Sequence, residues 1–333
     1  MGFKSKLVGK DLEKAQRELN EDPKTRDKAI KSLLTKCKTS RKIPSVCWPR
    51  LDDGFLLRFL RVSKFDLDKA VDRLEKYFEL QKEWPELYGD FTYKSVQHLL
   101  ETGVSELMPE KDENGLTTIV FRLSKWDSAR YSVHEVYRAA VFLWEFMLLD
   151  ESVQVHGIRV VGDQGSLSFA HIRATPMRVN KMWSKAVDGC YPFRSKGAVM
   201  IKFPGWFMSI FNLFQAFMSQ KMKDRIVLIG RNEPDEKLFQ HVPAKYLPED
   251  MGGSVSNKNQ ADWTAKLKKL APKIEADFAY LKSHCSTTGT YRKLEDDTDM
   301  LAAMDIAKVN LHFIIFIYAF KLQIEETEEG TEL

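Results

Sequence analysis

The chain has 333 residues, is 44% hydrophobic and carries a formal net charge of +4 at pH 7. That is enough apolar material for one large core and a smaller domain, and too weak a positive excess to imply a nucleic-acid partner. The cysteines Cys37, Cys47, Cys190 and Cys285 have no metal or redox spacing, which points to reduced thiols in a cytoplasmic protein without a metal or other cofactor.

Met1–Lys10 lacks the apolar run of a secretory leader, and Lys6 stands where N-myristoylation needs Ser or Thr. DLEKAQRELNEDP predicts a first helix that Pro23 stops, and TRDKAIKSLLTKCK predicts a second. Helical spacing continues through Phe55, Leu56, Phe59 and Leu60, then through Leu67–Trp84, so a small helical domain is expected to end near Pro85. Thr117–Leu123 then predicts a strand, Val133–Asp150 a helix, Val153–Val161 a strand, Ser168–Cys190 mostly helix, and Ala198–Phe203 and Arg225–Ile229 two further strands. Strands alternating with long helices predict an α/β sheet with substantial parallel content. Trp263–Ser283 predicts a Lys-rich amphipathic helix, and the chain after Arg292 turns acidic, apolar and acidic again. Leu311–Phe320 is very apolar but about half the ~20 residues that a membrane-spanning helix needs.

The helix expected over Trp206–Met222 is unusual. Trp206, Phe207, Ile210, Phe211, Phe214, Phe217 and Met218 form a very wide apolar face, and Ser209, Asn212, Gln215 and Ser219 leave only a narrow polar stripe. An ordinary surface helix has an apolar stripe roughly 100° wide. This helix is therefore either fully buried or a lid over an apolar ligand. Five cations flank it in sequence: Arg194 and Lys196 in YPFRSKG, and Lys221, Lys223 and Arg225 in QKMKDRI. Loops into neighbouring strands meet at one sheet edge, where such cations form either a solvated surface or a site for a phosphorylated headgroup.

Catalytic signatures are missing. There is no G-x-S-x-G elbow and no phosphate-binding loop, and Gly162-Asp163-Gln164-Gly165 lacks the spacing of a dinucleotide fingerprint. His171 is expected to cap or pack, and Asp163 to be a structural carboxylate rather than a general base.

Several blocks share one order and spacing across residues 50–285: DDGFLLRFLRVSKFDLDKA (52–70), IRVVGDQGSLSFAHIRATP (158–176), YPFRSKG (191–197), the lid segment, and LFQHVPAKYLPEDMGG (238–253). Together they resemble the CRAL-TRIO lipid-transfer family, nearest its α-tocopherol transfer protein-like members. The resemblance implies a helical N-terminal domain (1–90), a CRAL-TRIO lipid-binding domain with a mixed, largely parallel sheet and a helical lid (91–255), and a C-terminal helical extension (256–296). Residues 297–333 form a tail with no counterpart. It implies a non-enzymatic protein that binds and transfers a hydrophobic small molecule (tocopherol-, retinoid- or terpenoid-like). Its expected place is the cytoplasm, with transient contact to endosomal or other phosphoinositide-containing membranes.

Carried over residue by residue, the resemblance puts phosphatidylinositol phosphates on Arg194, Lys196, Lys221 and Arg225, with Lys223 beside them. A fifth cation falls on Ser63, for which Arg61 or Lys64 substitutes. The expected pocket and lid are lined by Tyr137, Ala140, Val141, Trp144, Val161, Leu167, Phe203, Trp206, Phe207, Ile210, Phe211 and Phe214. Against the family's best-known pocket, Ala140 and Trp144 replace serines, while Gly162 and Leu167 replace aromatics, so bulk is expected to be added at 144 and removed at 162 and 167. The alternatives are a phosphatidylinositol exchanger and a regulatory scaffold with a vestigial pocket.

Overall fold

The structure is a computed structural model and describes residues 3–208 and 226–286. Helices α1 (Gly9–Leu19), α2 (Arg26–Thr39), α3 (Asp53–Val62) and α4 (Leu67–Glu83) open the chain. Aspartates start the last two: the Asp52 side chain accepts from the Phe55 amide, and Asp66 from the amides of Asp68 and Lys69. Every residue of α3 from Phe55 to Val62 is buried, so its two arginines need internal counter-charges. Arg58 finds Glu145 at 3.0 Å, and Arg61 reaches Glu21 and Glu151 at 2.8 Å each.

Helices α5 (Pro85–Tyr88) and α6 (Tyr93–Thr102) lead into a five-stranded sheet. Its strands are β1 (Ser105–Leu107), β2 (Thr117–Arg122), β3 (Ile158–Asp163), β4 (Ser195–Phe203) and β5 (Ile226–Gly230), ordered in space as in sequence. β1 runs antiparallel to β2, and the other pairs are parallel. The three-residue β1 is too short to leave a period-two signal in the sequence.

Helices α7 (Val133–Met147) and α8 (Glu151–His156) carry the chain from β2 to β3, and α9 (Phe169–Arg173) and α10 (Met177–Lys185) carry it from β3 to β4. A reciprocal Ser132–Glu135 capping box begins α7. The strand expected over 153–161 is in part α8. Asp150 caps the amide of Ser152, and Gly157, at φ 91°, breaks the helix so that β3 starts only at Ile158. A side chain at 157 would also meet the Arg194 carbonyl at 2.4 Å. After β5 come α11 (Glu236–His241), α12 (Asn259–Asp277) and α13 (Leu281–Ser286); α12 packs on α6 and α7, and α13 on α4.

The sheet separates two apolar layers. The larger runs without a break from Ile30 and Leu33 through α3, α4, α7 and α10 to Ile119, Ala198, Met200 and Ile226 on one face, called the front. The smaller, on the back, joins Val120, Val161, Val199 and Ile229 to Leu238, Tyr246, Leu247 and Met251. Strict alternation along each strand decides the assignment. A β-bulge between Met200 and Phe203, with Lys202 in the left-handed region at φ 61°, changes that phase and returns Phe203 to the front layer.

Candidate functional site

The front face presents two rows of side chains in register across four strands. One is Ile119–Val160–Ala198–Ile226, the other Phe121–Gly162–Met200–Leu228. Phe121, Val160 and Leu228 stay only partly buried although each faces the main core, as does Ala140 on α7. The small residues Ala198 and Gly162 sit at the centres of the rows. This is an apolar floor that is least covered at its ends.

The pocket positions read from the sequence divide. Tyr137 and Trp144 are buried in a stack with Trp183 of α10, at centroid distances of 4.0 and 4.6 Å, and Trp144 also meets Tyr191 and Phe193 edge-on at 5.0 and 4.9 Å. These rings fill the α7–α10 end of the front layer. Burial alone pushes the Tyr137 phenol's pKa up. Val141 and Leu167 are packed core residues. Val161 does not line the front layer. One residue of strand alternation turns it to the back face beside Val120 and Val199, and Val160 takes the front position. The space expected at Gly162 is also taken, because a Cβ there would lie 2.4 Å from Met200 Sδ and 3.0 Å from Gln164 Nε2.

At the carboxyl end of the strands, Phe203 stacks on Phe207 at 4.3 Å, and Trp206 stacks on Phe169 at 5.6 Å. Phe169 is 59% exposed, a site the sequence reading missed because a lone aromatic in a short helix has no pattern. Ile210, Phe211, Phe214, Lys221, Lys223 and Arg225 lie outside the described residues, as does the tail 297–333. His171 Nδ1 lies 2.9 Å from the Ser168 hydroxyl and its Nε2 3.3 Å from the Trp126 carbonyl, the packing role expected of it. Asp163 pairs with Lys202 at 2.8 Å and accepts from the Gly165 amide at 2.8 Å.

Of the five cations, the described Arg194 and Lys196 lie at the opposite, amino-terminal end of β4. Ala198 pairs with Ile226, so the chain enters β5 beside the start of β4. Lys196 is exposed there. Arg194 donates to the Val155 carbonyl and to Glu18 on α1, at 3.1 Å to the carboxylate. Burial opposes ionisation of Glu18, but Arg194, with Lys14 and Lys196 nearby, holds its carboxyl below the usual range. Lys14 also approaches His156 Nδ1 at 3.1 Å, and Asp11 lies 2.9 Å from His156 Nε2, so α1 closes this edge.

Arg61 is not part of that surface. It is fully buried, and its guanidinium contacts Glu21, Glu151, Gln154 Oε1 and the Ser5 hydroxyl at 2.7–3.3 Å. Every donor faces inward, which leaves none for a phosphate. Among the described residues no group of three or more His, Cys, Asp or Glu is placed to hold a metal ion.

The model for the CRAL/TRIO domain matches residues 101–253, and that for the CRAL/TRIO N-terminal domain matches residues 29–76. The chain belongs to the CRAL-TRIO family. Relatives include the alpha-tocopherol transfer protein-like proteins of Pongo abelii, 27% identical over 87% of this chain and 81% of that one, and of Homo sapiens, 28% identical over 80% and 76%. Clavesin-2 of Mus musculus is 27% identical over 78% of this chain and 79% of its own. Among solved structures, Sfh5 aligns with a TM-score of 0.44 at 16% identity, over 78% of this chain and 98% of that one. The closing block 238–253 packs against the back of the sheet through Leu238, Tyr246, Leu247 and Met251.

Proposed function

We propose that this chain is a non-enzymatic carrier that holds a hydrophobic small molecule against the front face of the sheet and delivers it to phosphoinositide-bearing membranes. The partly covered apolar floor of Phe121, Val160 and Leu228, in a chain of a lipid-binding family, carries this reading. Removing a ligand's apolar surface from water contributes about 25 cal/mol per Å², so release needs an opposing interaction. A headgroup bound by Lys196, Arg194, Lys221, Lys223 and Arg225 supplies it only by binding the open form better than the closed one. The exposed Phe169, stacked on Trp206 at the root of the lid segment, supports a transient membrane contact at the other edge. Arg194 enters such a site only by exchanging Glu18 for phosphate.

The cargo proposed is tocopherol-, retinoid- or terpenoid-like. The aromatic stack at Trp144 argues against the pocket shape of the best-known member. Native mass spectrometry of the purified protein tests this directly: a bound terpenoid or similar lipid supports the carrier, a bound phospholipid supports an exchanger, and an empty protein supports a scaffold. In a vesicle-to-vesicle assay, Lys196→Ala combined with Lys221→Ala is expected to slow delivery to acceptors containing phosphatidylinositol bisphosphate while leaving ligand affinity unchanged. Loss of affinity with unchanged delivery per bound ligand rules the mechanism out.

A further inference from the structure

Helix α1 stands apart from both layers of the core. Its apolar side, Leu12, Ala15 and Leu19, packs with Leu7 and Val155 in a small cluster that joins neither face of the sheet. Charged contacts add to it. Asp11 lies 2.9 Å from His156 Nε2, Lys14 lies 3.1 Å from His156 Nδ1, and Glu18 lies 3.1 Å from Arg194 and 3.6 Å from Arg17. The side chains of Asp11 and Glu18 are 36% and 32% exposed, and pairs this open to water hold weakly. The helix begins and ends at residues in the left-handed region, Gly9 at φ 51° and Asn20 at φ 59°. Just outside them the chain is fastened: the Ser5 hydroxyl and the Lys6 amide bond Glu151 at 2.6 and 2.7 Å, and the buried Glu21 bonds Arg26 at 2.7 Å. α1 is thus the body of a flap with fixed ends, two turning points and a shallow seat.

The flap closes on cations. A Cβ on Gly157 would lie 3.0 Å from Arg194 Cβ and 3.1 Å from Lys196 Cγ, so both stems cross the residue just ahead of β3. Into this place α1 brings the Glu18 carboxylate. Carboxylate and phosphate oxygens offer a guanidinium the same kind of charged acceptor.

We infer that α1 is an internal competitor for anions at the amino end of β4: Glu18 occupies Arg194 in place of a headgroup phosphate, and the flap swings aside when the headgroup binds. The inference rests on the phosphoinositide part of the carrier reading and names how that site is regulated. When the flap lifts, the carboxylate facing Arg194 leaves with it. A headgroup opens the flap only to the extent that it binds the open form better. A helix of 11 residues has little stability without the surface it packs on, so an opened α1 loses amide protection.

The test uses the full chain, phosphatidylcholine vesicles with and without phosphatidylinositol bisphosphate, and soluble inositol trisphosphate. Glu18→Gln is compared with Glu13→Gln, which removes the same charge from the exposed side of α1. Glu18→Gln is expected to bind bisphosphate vesicles about threefold more tightly than wild type, the scale of one part-exposed ion pair that no longer competes. Glu13→Gln is expected to bind as wild type does. Inositol trisphosphate is expected to displace wild type and Glu18→Gln from the vesicles, and to speed amide hydrogen exchange over Asp11–Leu19 of wild type. A merely structural Glu18 would give neither the tightening nor the faster exchange. Equal tightening by both variants, none by Glu18→Gln, no displacement by inositol trisphosphate, or unchanged exchange over Asp11–Leu19 overturns the inference; the headgroup reading then stands if wild type still prefers bisphosphate vesicles. No preference for those vesicles by wild type or by Glu18→Gln overturns both.

Discussion

Replacing Arg61 with alanine separates a structural arginine from a headgroup-binding one. The guanidinium is fully buried and bonds Glu21 at 2.8 and 2.9 Å, Gln154 Oε1 at 2.7 Å and Glu151 at 2.8 Å. Truncation leaves Glu21, itself fully buried, with Arg26 at 2.7 Å as its remaining ion-pair partner. Glu151 keeps the Ser5 hydroxyl and the Lys6 amide. Breaking a buried pair by removing one partner costs about 3–5 kcal/mol, and the surviving Arg26 contact places this case near the lower end, at about 3 kcal/mol. In a domain of this size that corresponds to a fall of about 6–12 °C in the thermal midpoint. Calorimetry and urea unfolding followed by tryptophan fluorescence measure it. Arg61→Lys is expected to fall between, since an ammonium cannot meet both Glu21 contacts of the planar fork. Below its midpoint, Arg61→Ala is expected to bind phosphatidylinositol bisphosphate vesicles as wild type does. A loss under about 1 kcal/mol, or folded protein that no longer binds those vesicles, refutes the assignment of Arg61 to the core.

Two further outcomes follow from the same geometry. Burial opposes ionisation of Glu151, but Ser5, the Lys6 amide and Arg61 hold its carboxyl below the ordinary 4.5; Asp11, Glu18 and Asp250 are lowered likewise. A carboxyl depressed in the folded state contributes stability that is full above its unfolded pKa and lost as the pH falls through the folded one, so the urea midpoint should be level above about pH 5 and decline in more acid solution. Glu151→Gln should remove part of that decline, and an unchanged slope would show that Glu151 does not contribute to it. Trp144→Ala empties the space between Trp183, Tyr191 and Phe193 and is expected to cost about 3–5 kcal/mol while admitting bulkier ligands; a near-neutral result in chemical denaturation would mean that the stack is not packed.

Periodicity alone placed the long elements. Helices α3, α4 and α7 repeat apolar residues at helical spacing and carry side-chain caps at Asp52, Asp66 and Ser132, and β2 and β4 contain the apolar runs Ile119–Phe121 and Ala198–Ile201. Family blocks in register then gave the fold, because their order and spacing hold across residues 50–285. Local sequence could not tell Val160 from Val161, since a strand buried on both faces has no apolar–polar alternation to read; only the register with Ala198 and the packing on either side assigned the faces.

Arg61 shows the same limit for charge. In sequence it is a cation two residues from Ser63, near enough to be read as a substitute there, and its counter-ions Glu21 and Glu151 are 40 and 90 residues away. Gly162 looked like space made available, and the structure filled it with Gln164 and Met200, because the side chain that occupies a gap need not come from the residue that leaves it. The sequence by itself therefore determined the family, the long elements and the stock of cations and apolar surface. The tertiary structure decided which face each side chain joins, which charges neutralise one another, and which side chain fills the gap that a glycine leaves. Those outcomes depend on contacts between residues far apart in the chain.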